Sequence, residues 1–246
     1  MYPPDEPQQT PPYEPPPNDV SDADYKPYVP PPVDEEPKPK RVAYRGEASD
    51  PLFGYIIAIA LSIGLLPLLG QNGADLRYTL AWGALAAFGV LSWLLGSGTR
   101  IAQERPENLV WGVIFGFIVG VPLLAFGGST LSTTVKRLFE GMTVGSLLAY
   151  LIFVMPLAET LFFRGLLQQG RSLWLVALLS TIWSALLYLP LLDISRYPAP
   201  SVVIAVALIM MNVMYSYVRQ RNGLAAAWLC QITANIALLV VPFISG

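Results

Sequence analysis

From Pro51 onward, apolar runs follow one another with only short polar breaks between them. A helix that crosses a bilayer needs about 20 predominantly apolar residues. Seven runs of that kind can be marked, at roughly 52–70, 78–96, 109–127, 142–163, 172–192, 200–218 and 223–244. The breaks read QNGADLR, GSGTRIAQERPEN, GGSTLSTTVKRLFEG, QQGR, DISRYPAPS and RQRNG. A segment in lipid must satisfy its own backbone hydrogen bonds, and these runs are too long and too uniformly apolar for barrel strands. The expected fold is all-α, a polytopic membrane helix bundle of about seven spans. Within the third break, STLSTTVKRLFE reads equally as a short amphipathic interfacial helix or as a loop.

Residues 1–50 differ in kind. They hold 14 of the 23 prolines, and five Lys/Arg against eleven Asp/Glu, a net of −6. Such a segment buries too little apolar surface to offset its ordering entropy. It is expected to be a disordered, acidic, proline-rich tail, with 51–246 as the transmembrane domain. PPY at Pro11–Tyr13 resembles a ligand for a proline-reading module, and a soluble cytoplasmic protein is a candidate partner for the tail. Lys38, Lys40, Arg41 and Arg45 form a basic collar before the first span, suited to an anionic leaflet. The N-terminus carries no early apolar run, so no cleavable signal peptide is expected.

Loop charge sets orientation. With the N-terminus inside, the inner loops carry the collar plus Arg100, Arg105, Arg171, Arg219 and Arg221; the outer loops carry Arg77, Lys136, Arg137 and Arg196. This imbalance favours a cytoplasmic N-terminus in a multi-pass protein of the cell membrane, with membrane lipid as its surroundings.

The spans are not wholly apolar. LAETLFFRGLL places Glu159 and Arg164 where hydrocarbon is expected. A charge at mid-bilayer costs about 2.5–3.5 kcal/mol on insertion scales, so it marks a site or needs partners. Five residues apart on an α-helix, the two stand about 140° away from each other, which disfavours a direct pair. Arg164 either snorkels to the interface or finds partners on other helices. Ser184 and Tyr188 share one face of the fifth span, and Gln231 and Asn235 one face of the seventh, each an i,i+4 polar pair in an apolar run. Thr160 and Arg164 have the same spacing. Polar pairs on three helices beside a lone carboxylate point to one buried polar site.

Three stretches resemble motifs of the CAAX prenyl protease and bacteriocin-processing family of intramembrane proteases, known as CPBP or Abi. ETLFFRGLL, residues 159–167, is similar to its Glu-Glu-x-x-x-Arg motif, with Glu159 and Arg164 retained and Thr160 at the second Glu. SALLYLP, residues 184–190, is similar to the Phe-x-x-x-His motif, with Ser184 for Phe and Tyr188 for His. QITAN, residues 231–235, is similar to the His-x-x-x-Asn motif, with Gln231 for His and Asn235 retained. The resemblance spans about 140–246 and implies an intramembrane endopeptidase fold. It implies a water-activating role for Glu159 and an oxyanion-donor role for Asn235, while the family's histidines position the water or a metal.

This chain has no histidine at all. A catalytic zinc wants three His, Asp, Glu or Cys ligands, and the spans offer Glu159 and Cys230, which lies on a different face from Asn235's neighbour Gln231. No metal, no cofactor and no nucleic-acid partner are therefore expected. With both histidines and the second Glu replaced, the expectation is a pseudoenzyme that binds a peptide or lipidated-protein ligand in a bundle cavity. The alternative is an active endopeptidase with Glu159 as general base. A transporter or proton relay is disfavoured, because Glu159 has no chain of ionisable neighbours.

Overall fold

The computed structural model describes residues 51–69, 73–92, 94, 105–192, 194 and 198–245. The expectations for the tail, its PPY stretch and basic collar, and for loop residues Arg100 and Arg196, lie outside the described residues. Among those described, the chain is helical throughout and no strand occurs. We label the continuous helices α1 (Pro51–Leu69), α2 (Ala74–Ser92), α3 (Pro106–Leu138), α4 (Val144–Gln169), α5 (Leu173–Leu191), α6 (Pro198–Asn222) and α7 (Leu224–Ser245). Six helices, all but α2, are long and apolar enough to cross a membrane.

Local chemistry sets the helix ends. Pro106 opens α3 at a position where its missing N–H costs nothing. Thr143 caps α4 by accepting from the Ser146 amide at 3.2 Å, and Ser172 caps α5 by accepting from the Leu175 amide at 3.4 Å. Gly223 alone joins α6 to α7, at φ 102°, a backbone state that only glycine adopts without strain. Of the two readings of the stretch 129–138, the structure bears out the helix and not the loop. It is a short second helix within α3, set off from the first by the non-helical backbone of Gly128, whose φ is 36°. Tyr78 then donates to the Leu138 carbonyl at 2.9 Å, satisfying one of the groups that the helix end leaves open.

The tightest seam joins α3 to α7. Gly112, Gly116 and Gly120 recur every fourth residue on the buried face of α3. A Cβ on Gly116 would lie 2.6 Å from the Thr233 Cβ, and one on Gly120 would lie 2.8 Å from the Ala237 Cβ. A Cβ on Gly112 would meet the Ala226 carbonyl. Helices in lipid gain little from apolar burial alone, so such small-residue stripes, which let two backbones approach, drive their packing.

Helix α4 is the hub, packed against α2, α5, α6 and α7. It is not a regular α-helix. Tyr150–Val154 and Thr160–Leu166 are wide π turns, and Ile236–Val240 of α7 is another. Such turns insert extra residues and swing later side chains to new directions.

Arg77 departs from its expected place in an outer loop. It lies within α2 and is fully buried. Its Nε donates to the Ser62 carbonyl at 3.2 Å and its Nη2 to the Leu187 carbonyl at 2.5 Å, tying α2 to α1 and α5. An arginine among apolar flanks reads as a boundary residue in sequence; here it bridges two backbones instead.

Candidate functional site

Glu159 is 2% exposed, at the junction where the α-turns of α4 give way to the π segment. Three donors converge on its carboxylate. Trp82 Nε1 from α2 and Trp183 Nε1 from α5 both donate to Oε1 at 3.1 Å. Gln231 Nε2 from α7 donates to Oε2 at 2.7 Å. The Thr160 hydroxyl donates to Gln231 Oε1 at 3.1 Å, which fixes the direction of the amide. Each donor supplies a hydrogen and asks for none, and a carboxylate in an apolar bundle is tolerable on those terms.

Tyr188 and Asn235 do not join this set. The Tyr188 hydroxyl donates to Met155 Sδ at 3.5 Å, and Asn235 Nδ2 approaches the same sulfur at 3.6 Å. The main bond of Asn235 Nδ2 runs to the Leu151 carbonyl at 2.9 Å. Of the three polar groups expected around Glu159, Gln231 reaches it and the other two meet one turn away, at Met155. The reason lies in the backbone. Pro156 has no N–H, and the Met155 N–H goes to the Tyr150 carbonyl, so the Leu151 carbonyl lacks a helical donor. The Asn235 amide supplies one.

Arg164 is fully buried and does not snorkel. Its Nη2 donates to Asn212 Oδ1 at 2.7 Å and lies 3.5 Å from Ser180 Oγ. Asn212 Nδ2 in turn donates to Ser184 Oγ at 3.3 Å and to the Leu208 carbonyl at 2.9 Å. The guanidinium carbon stands 5.6 Å from the Phe163 ring centre and 5.3 Å from that of Tyr215, a cation held between aromatic faces. Glu159 and Arg164 thus have separate hydrogen-bond partners. Glu159 is held from α2, α5 and α7, Arg164 from α5 and α6.

A cavity of about 280 Å³ lies beside these groups. Met155, Glu159, Ser184, Tyr188, Asn212 and Tyr215 supply much of its polar and polarisable lining, while α3 and α6 contribute apolar walls. The site does not fit a zinc ion. Indole N–H groups have no lone pair to give, and among the described residues no group of three His, Cys, Asp or Glu side chains could hold a metal. Cys230 is buried against Val119, Met211 and Tyr215 in the apolar core.

Trp82, Trp183 and Asn212 are the residues that sequence reading missed. Asn212 carried a usable signal, a single amide inside the apolar run VALIMMNVMY. Trp183 stands next to Ser184, but tryptophan counts as apolar in any hydropathy reading, and its one donor goes unnoticed. Trp82 lies on α2, away from every recognised motif.

Residues 141–237 match the family described as Type II CAAX prenyl endopeptidase Rce1-like. No curated protein and no solved structure matches the chain. The matched stretch holds Glu159, Thr160, Arg164, Ser184, Tyr188, Gln231 and Asn235, together with Trp183 and Asn212; Trp82 lies outside it. This stretch, carried on a bundle with six candidate membrane-spanning helices, is thus similar to the Type II CAAX prenyl endopeptidase Rce1-like family over less than half of the chain.

Proposed function

We propose that this is a catalytically degenerate CAAX-type membrane protein, which binds a peptide or membrane-protein partner in the cavity beside Glu159 without cutting it. The observation that carries the reading is how the polar groups are spent. Gln231, at a family histidine position, uses its amide to hold Glu159. Tyr188, at the other, donates to a thioether. Asn235 is committed to a backbone carbonyl. No imidazole remains to pass protons, and the amide that would steady an oxyanion is engaged elsewhere.

A residual endopeptidase is the second reading, favoured by the fact that Glu159 lines the cavity. Purified protein with a fluorogenic prenylated peptide separates the two. No turnover by wild type supports the binding reading; turnover that Glu159→Gln abolishes overturns it.

In the same proposal, residues 51–246 form the membrane domain in the cell membrane, and residues 1–50 form a cytoplasmic tail that recruits a soluble protein. Equal partner recovery by the full chain and by a chain lacking residues 1–50 would remove the tail from the account.

A further inference from the structure

Tyr215 borders the 280 Å³ cavity from α6. Its side chain is buried, and its hydroxyl has no hydrogen-bond partner within the chain. A hydroxyl left unpaired in a buried site is costly, so it marks a place where something else supplies the partner. Glu159 borders the same cavity. Its Oε2 takes one donor, from Gln231, against two on Oε1, and a carboxylate oxygen has room for a second. Tyr188 stands on this wall too, its hydroxyl meeting only a thioether, a weak acceptor. The three side chains lie within electrostatic range of one another.

Most of the remaining wall is apolar, with Leu131, Val135, Leu208 and Leu239 among its residues. It carries no cation. Arg164, whose Nε and Nη1 also lack hydrogen-bond partners, does not border it. At Phe126 and Val203, 92% and 54% exposed, the wall reaches the outside of the bundle on two candidate membrane-spanning helices. The space is too small for a helix, since one turn with its side chains takes about 400 Å³. It suits the end of a single chain.

We propose that the cavity binds a neutral lipid alcohol, head first. The hydroxyl accepts from Tyr215 and donates to Glu159 Oε2, and the alkyl chain follows the apolar wall outward between α3 and α6. The head chemistry follows from which groups are unpaired. An alcohol brings both the acceptor that Tyr215 lacks and a donor for Oε2. An alkane brings neither, and an ammonium brings no acceptor. A carboxylate adds a second negative charge beside Glu159, with no cation on the wall to offset it. The inference rests on the reading that this cavity is a binding site and names the chemistry of what enters it. Alcohol and partner would then exclude each other from the cavity.

The test uses the full chain in neutral detergent. Dodecanol, dodecane, dodecylamine, dodecanoate and an apolar transmembrane peptide carrying one serine are added at equal mole fraction, and binding is read by thermal unfolding. Dodecanol is expected to bind on the order of tenfold more tightly than dodecane, the worth of about one buried hydrogen bond. Tyr215→Phe keeps the ring against Arg164 and deletes only the unpaired hydroxyl; it should bring dodecanol down to the level of dodecane. Ala207→Phe, which narrows the cavity, should weaken both. A dodecanol carrying a mid-chain diazirine should label residues 123–138 and 203–215, and lose that labelling in Ala207→Phe. Equal affinity for alcohol and alkane, as for a cavity that holds only water, overturns the proposal. So does a preference that survives Tyr215→Phe, an amine or carboxylate that matches the alcohol, or the peptide binding while dodecanol does not. None of these readouts involves cleavage. Failure here leaves the non-cleaving reading of the Glu159 site standing, and cleavage of a prenylated peptide would leave the alcohol result standing.

Discussion

Asn235 Nδ2 and the Leu151 carbonyl oxygen, 84 positions apart in the chain, lie 2.9 Å apart in the bundle core. The bond repairs a defect that Pro156 creates in α4. It also takes the amide that the family resemblance would assign to an oxyanion.

Asn235→Leu should therefore act through stability. Leaving a buried carbonyl unpaired costs about 1–3 kcal/mol. In a Pro156→Ala background, an amide N–H returns to the helix and the same substitution should cost less. Thermal unfolding of the four proteins in detergent measures the coupling; strictly additive costs would mean that the two residues act independently.

Glu159→Gln and Glu159→Leu should differ sharply. In the glutamine variant, Gln231 can turn its amide over, present its oxygen, and let the Thr160 hydroxyl rotate to accept; the indoles of Trp82 and Trp183 still find an oxygen. The cost should stay near 1 kcal/mol. In the leucine variant three buried donors lose their acceptor, each worth about 1–3 kcal/mol at most. Adding Thr160→Val should make Glu159→Gln worse, because Gln231 can no longer turn without leaving its own N–H groups unpaired. Equal melting temperatures for the glutamine and leucine variants would contradict the relay.

Gly116→Leu should separate α3 from α7, because even a Cβ there would meet Thr233 and the Cys230 carbonyl at 2.6 and 2.8 Å. Overpacking costs typically 1–3 kcal/mol where side chains can shift, and more against backbone. Gly83→Ala is the control, since a Cβ on Gly83 meets nothing within 4 Å. Reactivity of Cys230 toward a membrane-permeant maleimide reads the seam directly. The thiol is buried in the native chain and should label faster in Gly116→Leu, at unchanged rate in Gly83→Ala.

Arg164→Lys should not be conservative. Nη2 makes the bond to Asn212, and an ammonium lacks the planar face that now lies between Phe163 and Tyr215. Removing the partner of a buried polar network costs several kcal/mol. A melting temperature equal to that of wild type would show the network to be dispensable.

The bundle was legible because the lipid requirement is severe. Long apolar runs have few alternatives, and Glu159, Gln231 and Asn235 stood out as polar residues inside them. Neighbour relations were less legible. A helical-wheel estimate at regular pitch cannot foresee the wide turn from Thr160 to Leu166, which redirects Arg164 toward Asn212. Hydropathy hides the donors of Trp82 and Trp183, since their rings dominate their transfer energy. The glycine stripe on α3 lies in plain sight at 112, 116 and 120, but its meaning depends on Ala226, Thr233 and Ala237 more than a hundred residues later. Arg77 shows the reverse error, a charge assigned to water that the fold takes inside.

The single residue between α6 and α7 has a mechanical consequence. With only Gly223 at the turn, the two helices form a hairpin too short to splay at that end. Helix α7 is also locked to the first half of α3 through the glycine seam. Any parting of α3 from α6 is then confined to the ends remote from Gly223, where the non-helical Gly128 is the break in α3.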